Sequence, residues 1–387
     1  MKASCSMFSQ LLKLFPRIEF ERLVRQTGAE YRAKGMSSWT QFVAMLFCQF
    51  GGAKSLREVV GGLKSVEGKL EHLGIEPPVR STLAYANGHR PWELYRQLFY
   101  ALFEKVSAKV VGKRKFRFKN KLLSLDSTTI DLCLSMYDWA RFTRTKGAVK
   151  LHLVLDHDGY LPRFAVITDG KVSDVEIARQ LDFAPGTIVV EDRGYTDYAL
   201  YARWIDKDVY FVSRLRANAK FEVVQERAVR PGGLVLKDQT IRLTDRHTRK
   251  KCQHPLRRVE ALNEETGEIL VFVTNHYQLA AGTIAAIYKE RWQIELFFKA
   301  LKQNLKIKTF VGTSANAVKT QIWTALIAML LFRYLQLCSR FGWSLANLVA
   351  LLRMNLFTHR DLMAWLDQPY AVPPDPHDNP QASLAFA

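Results

Sequence analysis

Four side chains near the C-terminal third of the chain have the types and spacing of a phosphate-handling site. Tyr288, Arg291, Glu295 and Lys302 lie in a stretch that is predicted to be helical. At about 100° per residue, they fall within an arc of about 60° on one side of that helix. A carboxylate flanked by two cations and a phenol can hold a metal ion beside groups that hold phosphate. The alternative is a solvated helix with i,i+4 ion pairs such as Arg291–Glu295.

A second polar stripe on the same helix consists of Lys289, Glu290 and Gln293. Apolar side chains separate the two stripes: Trp292 and Leu296 on one side, and Ile294, Phe298 and Leu301 on the other. An ordinary surface helix has a single polar face. The two stripes therefore favour a helix that carries a site.

Two further acids follow short apolar runs that are predicted to be strands. Leu122 to Leu125 ends in Asp126, and Thr187 to Val190 ends in Glu191-Asp192. Ligands commonly bind where the strands of an α/β sheet end. Together with Glu295, the two aspartates could converge on a pair of Mg²⁺ ions, which leave coordination positions for phosphate and water. The alternative is that each aspartate is a turn residue.

The charge of the chain indicates a polyanionic partner. Its 387 residues include 56 Lys and Arg against 37 Asp and Glu, which gives a net charge of +19 and a pI near 9.7. This excess favours nucleic acid over membrane. The alternative is a merely basic soluble protein.

Cysteine usage and hydropathy narrow the class of protein further. Five scattered cysteines without a CxxC pair argue against a disulfide framework and against a zinc site. The N-terminus lacks a signal-peptide pattern, and the apolar run Ile322 to Phe332 is shorter than a membrane span. We expect that run to form a buried helix, and we expect a cytoplasmic protein without a membrane partner.

The pattern of elements predicts an α/β fold flanked by helical segments. Short helices in the first 105 residues suit either a helix-turn-helix DNA reader or a plain helical bundle. The predicted segments are a helical DNA-binding domain (1–105), a basic junction (106–120), the first part of the core (121–214), a β-rich insert (215–280), the second part of the core with the striped helix (281–340), C-terminal helices (341–366) and a flexible tail (367–387). The basic junction is expected to touch a phosphate backbone.

The striped helix resembles a known signature. Its residues match the Tyr-x2-Arg-x3-Glu-x6-Lys pattern of DDE transposases of bacterial insertion sequences at all four positions, Tyr288, Arg291, Glu295 and Lys302. Leu-Asp126-Ser-Thr-Thr and Val-Glu-Asp192-Arg-Gly-Tyr are similar to the first and second catalytic blocks of that family. The segment from Gly147 to His152 also resembles the group.

The resemblance implies a ribonuclease H-like mixed sheet that is interrupted by the β-rich insert. It implies that Asp126, Asp192 and Glu295 are catalytic and hold Mg²⁺, with Mn²⁺ as a substitute. It also implies DNA contacts from Tyr288, Arg291, Lys302, Arg193, Lys150 and His152. Some relatives stack a flipped base on a tryptophan of the insert. No tryptophan lies between Leu215 and Thr283 here, so either Tyr277 or Phe272 substitutes for it or the hairpin step differs.

These inferences predict a metal-dependent transposase that cleaves DNA at the ends of its element and joins those ends to target DNA. The expected partner is double-stranded DNA of the element ends and of the target. A homodimer or larger assembly is expected when the ends are paired, in a bacterial cytoplasm and associated with the nucleoid. The alternatives are a ribonuclease H-like nuclease that does not join strands and a catalytically inactive DNA-binding regulator.

Overall fold

The computed structural model describes residues 5–66, 68, 70–109, 115–133, 135–140, 147–305 and 310–371. The chain divides into two compact units, one made of Met1–Val106 with Leu301–Ala387 and the other of Ser107–Ala300. The tail prediction beyond residue 371 and residues 110–114 of the basic junction lie outside the described residues.

Helices make up the first unit and flank the sheet of the second. They are α1 (Met7–Leu12), α2 (Arg17–Thr27), α3 (Ser38–Gly51), α4 (Leu56–Ser65), α5 (Arg80–His89), α6 (Glu93–Ser107), α7 (Asp174–Gln180), α8 (Tyr198–Asp206), α9 (Arg246–Lys251), α10 (Ala281–Glu290), α11 (Trp292–Asn304), α12 (Ala315–Cys338), α13 (Leu345–Asn355) and α14 (Leu362–Asp367). Within the described residues, single turns of 3₁₀ helix occur at Glu71–Leu73, Asp138–Ala140 and Arg193–Tyr195.

Local capping chemistry determines where the helices of the first unit begin. The Ser37 hydroxyl accepts a hydrogen bond from the amide of Thr40 at the start of α3, and Gly52 ends the helix with a φ of 69°. Ser55 caps α4 in the same way, through the amide of Glu58. These bonds satisfy amides that have no partner within the helix.

The long apolar helix α12 lies in the interior of the first unit. It is long and apolar enough to cross a membrane, but 78% of its most apolar 18-residue window is buried within the protein. Helices α3, α5 and α13 pack against it. The predicted buried run from Ile322 to Phe332 belongs to this helix.

A nine-stranded mixed sheet dominates the second unit. The strands are β1 (Leu122–Leu132), β2 (Gly147–Asp156), β3 (Leu161–Asp169), β4 (Ile188–Glu191), β5 (Tyr210–Arg214), β6 (Phe221–Arg227), β7 (Val235–Leu243), β8 (Leu256–Leu262) and β9 (Ile269–Thr274). Their order is β3-β2-β1-β4-β5-β9-β8-β7-β6. Strands β1, β4 and β5 are parallel, and the other neighbours are antiparallel. The four strands of the predicted insert therefore extend the core sheet through the β5–β9 pair.

Alternation along the central strands divides the core between two faces of the sheet. Leu123 and Leu125 belong to a cluster that also contains residues of α7 and α8. Leu122 belongs to a second cluster, with Ile284 and Tyr288 of α10. Because successive side chains of a strand point to opposite faces, Asp126 lies on the α10 face and Ser127 on the α7–α8 face.

The end of the basic junction packs onto the second unit. Phe116 and Phe118 stack on each other with ring centroids 5.0 Å apart and lie against the α10-side cluster. Lys115 forms an ion pair with Glu290, and Lys121 pairs with Asp156 at 2.7 Å. Lys115 of the junction therefore binds a carboxylate of the protein itself, whereas the sequence predicts that the junction contacts a phosphate backbone.

Candidate active site

Asp126 and Asp192 lie side by side where two parallel strands stop pairing. The last paired residues of β1 and β4 are Leu125 and Glu191, and each aspartate is the next residue along the chain. Neighbouring strands are about 4.8 Å apart. The sequence predicts that β1 ends at Asp126. In fact β1 continues to Leu132. Beyond Leu125 it is paired with β2 alone, so the edge of β1 that faces β4 becomes unpaired at Asp126.

Arg291 brings the third acid to this position. Its guanidinium lies 3.5 Å from Oδ2 of Asp126 through Nη1 and 2.6 Å from Oε1 of Glu295 through Nη2. The Arg291 side chain is 13% exposed, so these charges interact with little screening by water. A single cation therefore joins the acid of β1 to the acid of α11.

Tyr288 connects the same segment to the second strand. Its hydroxyl donates a 3.1 Å hydrogen bond to Oδ1 of Asp192. The Arg291 guanidinium also lies over the Tyr288 ring, 5.5 Å from its centroid. Tyr288, Arg291 and Glu295 thus all contribute to one cluster with the two aspartates.

The two aspartates differ in pKa because their surroundings differ. Burial raises the pKa of Asp126 to about 6, helped by the charges of Glu295 and Asp192 and opposed by the Ser127 amide and Arg291. Burial also acts to raise the pKa of Asp192. Hydrogen bonds from backbone amides and from Tyr288, together with the Arg291 charge, nevertheless bring that pKa below its ordinary value. Asp192 is therefore the more firmly ionised of the pair at neutral pH.

The prediction of one continuous helix through the four signature residues is wrong. Helix α10 ends at Glu290, and α11 begins at Trp292. Arg291 keeps right-handed dihedrals, and two bonds of the i→i+3 type tighten the turn: its amide bonds to the Tyr288 carbonyl, and the Ile294 amide bonds to its own carbonyl. Lys302 lies on α11, two turns after Glu295 and on the same side of that helix.

The second polar stripe is only partly a solvent-facing surface. Lys289 is exposed and pairs with Glu265 at 2.6 Å. Glu290 is buried, where Lys115 and the Tyr160 hydroxyl bind it. Trp292, which was expected to separate the stripes as an apolar residue, is 55% exposed. The face of α11 next to the acids is therefore more open than the sequence pattern suggests.

Lys150 and His152 lie on the opposite face of the sheet from Asp126. His152 is paired directly with Ser127, whose side chain points toward α7. Oδ1 of Asp174 accepts bonds from Ser127 Oγ at 2.6 Å and from Lys150 Nζ at 3.3 Å, and His152 Nδ1 is 3.4 Å away. His152 is fully buried, and burial lowers its pKa to about 4. We call Ser127, Lys150, His152 and Asp174 the Asp174 cluster.

The Asp174 cluster is linked to the carboxylate of Asp126 through Ser127, a role that could not be inferred from the sequence. Ser127 donates its hydroxyl to Asp174 and its amide to Oδ1 of Asp126, at 2.8 Å. Asp174 reads in the sequence as an ordinary acid at the start of a helix. Only the pairing of β1 with β2 brings it near the site.

Arg193 lies at the mouth of the site. It is exposed in the turn after Asp192, which is fixed by a hydrogen bond from the Tyr195 amide to the Asp192 carbonyl. Arg193, Gly194 and Arg216 line a surface pocket of about 520 Å³ beside Asp192. Two guanidinium groups beside an open pocket suit an anionic ligand.

The expected substitutes for an insert tryptophan differ in accessibility. Phe272 is buried against Tyr288, with ring centroids 5.0 Å apart. Its ring is therefore part of the core beneath the site. Tyr277 is half-buried, and Arg227 lies over its ring at 5.7 Å.

The donor atoms of the site fit a hard divalent cation, although the ligands are not gathered as a metal centre. Three carboxylates offer only oxygen, which Mg²⁺ and Mn²⁺ prefer. Across the ranges that the structure describes, no three His, Cys, Asp or Glu side chains are close enough to hold a metal ion. Arg291 supplies the positive charge between Asp126 and Glu295 instead.

Comparison with known proteins identifies the family. A family model described as a transposase DDE domain matches residues 117–331, and a domain of unknown function matches residues 4–76. The chain is 33% identical to a putative transposase, y4zB, of Sinorhizobium fredii over 329 residues, which cover 83% of this chain and 90% of the relative. It is 30% identical over 259 residues to a probable transposase for the insertion sequence element IS5377 of Geobacillus stearothermophilus, covering 66% and 67%.

A cryo-EM structure of the piggyBac transposase synaptic complex with hairpin DNA is similar over 90% of this chain and 79% of that chain, with a TM-score of 0.47 and 11% identity. The extent of the family match and the identity to the first relative are decisive. The chain belongs to the DDE transposases of bacterial insertion sequences.

Proposed function

We propose that Asp126, Asp192 and Glu295 are the catalytic residues of this DNA transposase and that they hold Mg²⁺, for which Mn²⁺ can substitute. The observation that carries the proposal is that all three acids interact with Arg291. Asp126 and Glu295 form ion pairs with it, and its charge lowers the pKa of Asp192. Structural ion pairs alone would give no reason for three acids from three separate elements to meet at one open edge.

The raised pKa of Asp126 supports a cationic ligand at this position. Its ionised form is disfavoured by burial and by the two other acids, and Arg291 offsets this only in part. A divalent cation bound by these oxygens supplies the charge that activates the attacking oxygen and stabilises the leaving oxygen of a phosphodiester. Arg291 then exchanges one carboxylate for a phosphate oxygen, which a guanidinium can bind with two parallel hydrogen bonds.

The remaining cations have different roles in this proposal. Arg193 and Lys302 each bind backbone phosphates near the scissile end, and Tyr288 orients Asp192 through its hydroxyl. Lys150 and His152, which the family resemblance implies as DNA contacts, instead position the strand that carries Asp126. Their burial against Asp174 supports this assignment.

We propose a ribonuclease H-like core formed by β1 to β5. The order β3-β2-β1-β4-β5 supports it, with an antiparallel meander on one side and two parallel strands on the other. The first acid lies on the central strand, and the second follows β4. The third acid comes after the inserted strands β6 to β9, where the family resemblance implies it.

The proposed partners are the duplex ends of the insertion sequence and a target duplex, in the bacterial cytoplasm. The net charge of +19 supports binding to a polyanion. Cleavage and joining of two ends require that they be held together, so we propose a homodimer or larger assembly on DNA.

One experiment tests the catalytic assignment. Asp126→Asn, Asp192→Asn and Glu295→Gln are each compared with Asp182→Asn, which changes an exposed acid that pairs with Lys207. The three site variants should bind the DNA that borders the element but fail to cut it, while Asp182→Asn should cut at the parental rate. Cutting should require Mg²⁺ or Mn²⁺, whereas Ca²⁺ should support binding with little cleavage.

A labelled target plasmid distinguishes transposition from the alternatives. Joined products are expected from the parent protein. Cutting without joining would indicate a nuclease, and binding without cutting would indicate a regulator. Parental cleavage by any of the three site variants would remove that residue from the site.

A further inference from the structure

Helix α5 presents a polar and aromatic face that has no described partner. Arg80, Ser81, Ala84, Tyr85 and His89 are all exposed, at spacings that place them on one side of the helix. Tyr85 is 66% exposed and stacks on His89, with ring centroids 4.0 Å apart. Neither the Arg80 side chain nor the Tyr85 hydroxyl has a hydrogen-bond partner within the described parts of the chain.

The opposite face of α5 is fixed by buried hydrogen bonds. Asn87 accepts a bond from Gln41 of α3 at 2.9 Å and donates one to the Met45 sulfur at 3.2 Å. The side-chain Nδ2 of Asn316, on α12, donates to the backbone carbonyl of Asn87 at 2.8 Å and to that of Arg90 at 2.6 Å. Polar groups that are buried and satisfied in this way specify one orientation. The exposed residues of α5 are therefore held rigidly.

The stability of α5 comes from this anchoring because its sequence is a poor helix former. Ser81, Thr82, Asn87 and Gly88 all have low helix propensity, and the helix has only ten residues. Its exposed face contributes nothing visible to the packing of the unit. A short, rigidly held helix with an outward polar face is a common arrangement for recognition.

Helix α5 belongs to a group of three helices. Helices α3, α4 and α5 pack against one another, with four residues between α3 and α4 and fourteen between α4 and α5. The second spacing is longer than the three- or four-residue turn of a helix-turn-helix. The feature that α5 shares with a recognition helix is an exposed N-terminal half that can contact base edges in a major groove.

The charge around α5 suits duplex DNA as its occupant. No acidic residue occurs between Glu76 and Glu93, and the exposed face carries Arg80 and the imidazole of His89. Ala84 is small and exposed, so a groove wall can approach the helix closely at this position. Arg, Ser, Tyr and His side chains provide the donors and acceptors that read base edges.

We infer that α5 is the recognition helix of this transposase and that Arg80 and Tyr85 contact bases in the major groove of the terminal DNA. The inference rests on the proposed function, because it assumes that the element ends are the cognate DNA. It assigns sequence preference to α5, and it gives the active-site cations the sequence-independent phosphate contacts.

The test measures the dissociation constant of the full-length protein for two duplexes at one fixed salt concentration. One duplex carries the inverted repeat that borders the gene, and the other carries the same bases in scrambled order. Arg80→Ala and Tyr85→Ala should each weaken binding to the repeat by about tenfold to a hundredfold. Binding to the scrambled duplex and the melting temperature should stay at the parental values. Arg25→Ala, which removes an exposed arginine of α2, should change neither affinity.

Methylation of guanine N7 in the repeat provides a second measurement. It should weaken binding of the parent at one or more guanines and leave binding of Arg80→Ala unchanged at those guanines. Parental affinity of both α5 variants for the repeat would overturn the inference, and so would an equal loss for both duplexes. Asp126→Asn should bind the repeat specifically even if it cannot cut DNA. Its binding therefore tests the recognition helix independently of the catalytic proposal.

Discussion

The hydroxyl of Tyr288 donates a 3.1 Å hydrogen bond to Oδ1 of Asp192. This bond joins the last turn of α10 to the end of β4, and the two residues are 96 positions apart in the chain. Burial raises the pKa of Tyr288 to about 12, so the phenol remains a donor at neutral pH. The first residue of the family signature thus orients the second acid.

Tyr288→Phe tests that relationship. The ring remains packed against Phe272, while the bond to the carboxylate is lost. Because a hydrogen bond to a charged group contributes about 1.5–3 kcal/mol, cleavage should slow by about tenfold to a hundredfold, while DNA binding is maintained. Tyr160→Phe is the matched control, since that hydroxyl donates to the noncatalytic Glu290 at 3.0 Å. Equal rates in the two variants would exclude an orienting role for Tyr288.

Arg291→Ala should make the stability of the protein dependent on Mg²⁺. The substitution leaves Asp126 and Glu295 close together without a cation, which should lower the free energy of unfolding by about 3 kcal/mol in a chelator. Added Mg²⁺ should restore part of this loss if the acids bind it. Melting temperatures of the parent and the variant, each with EDTA and with Mg²⁺, measure the effect. Melting temperatures that do not change with Mg²⁺ in either protein would argue against a metal site at these acids.

Local patterns in the sequence were sufficient to predict the elements that carry the site. The apolar runs that predict β1 and β4 depend on neighbouring residues only. The break at Arg291 was not predictable, because the helical dihedrals persist through it. The position of Lys150 was not predictable either, since it depends on the register of β1 with β2.

The sequence also did not reveal that helices from both ends of the chain share one unit. Helix α3 packs on α12, and Arg353 of α13 donates to the Phe50 carbonyl at 2.9 Å. These contacts connect residues about 300 positions apart. The sequence suggests that residues 1–105 can be removed to leave a core that folds on its own.

Deleting residues 1–105 should instead produce an aggregated protein. The deletion would expose the apolar surface of α12 that α3 and α5 cover. Size-exclusion chromatography and circular dichroism of the truncated chain measure the outcome, with the full-length protein as reference. A monodisperse, folded truncation would show that the C-terminal helices do not depend on the N-terminal ones.

His157 should make the fold sensitive to acid. Burial lowers its pKa to about 4, although Glu290 and Asp158 act to raise it, and Nε2 lies 2.7 Å from the Ser124 hydroxyl. The His157 imidazole is protonated near pH 6.5 in the unfolded chain, whereas in the folded chain it is protonated only near pH 4. The free energy of unfolding therefore falls as the pH drops through that window, by up to about 3 kcal/mol.

His157→Gln should remove that contribution. Denaturant unfolding at pH 7, 6, 5 and 4.5 should show a smaller acid-induced loss than in the parent. His254→Gln is the control, because the His254 side chain is only half-buried and pairs with Asp206 at 3.0 Å. The same slope of stability against pH in the parent and in His157→Gln would contradict the prediction.

Lys302→Ala and Lys289→Ala compare two lysines of the signature region. Lys302 lies on the Glu295 side of α11, where it is proposed to bind a phosphate. Since a charge-assisted hydrogen bond to phosphate contributes about 1.5–3 kcal/mol, Lys302→Ala should slow cleavage by about tenfold to a hundredfold. Lys289 is exposed and pairs with Glu265, so Lys289→Ala should cut at close to the parental rate. Melting temperatures measured on the same preparations separate lost catalysis from lost folding. If Lys302→Ala cuts as fast as Lys289→Ala, the side of α11 that carries Lys302 is an ordinary solvated surface. The signature would then act through Tyr288, Arg291 and Glu295 alone.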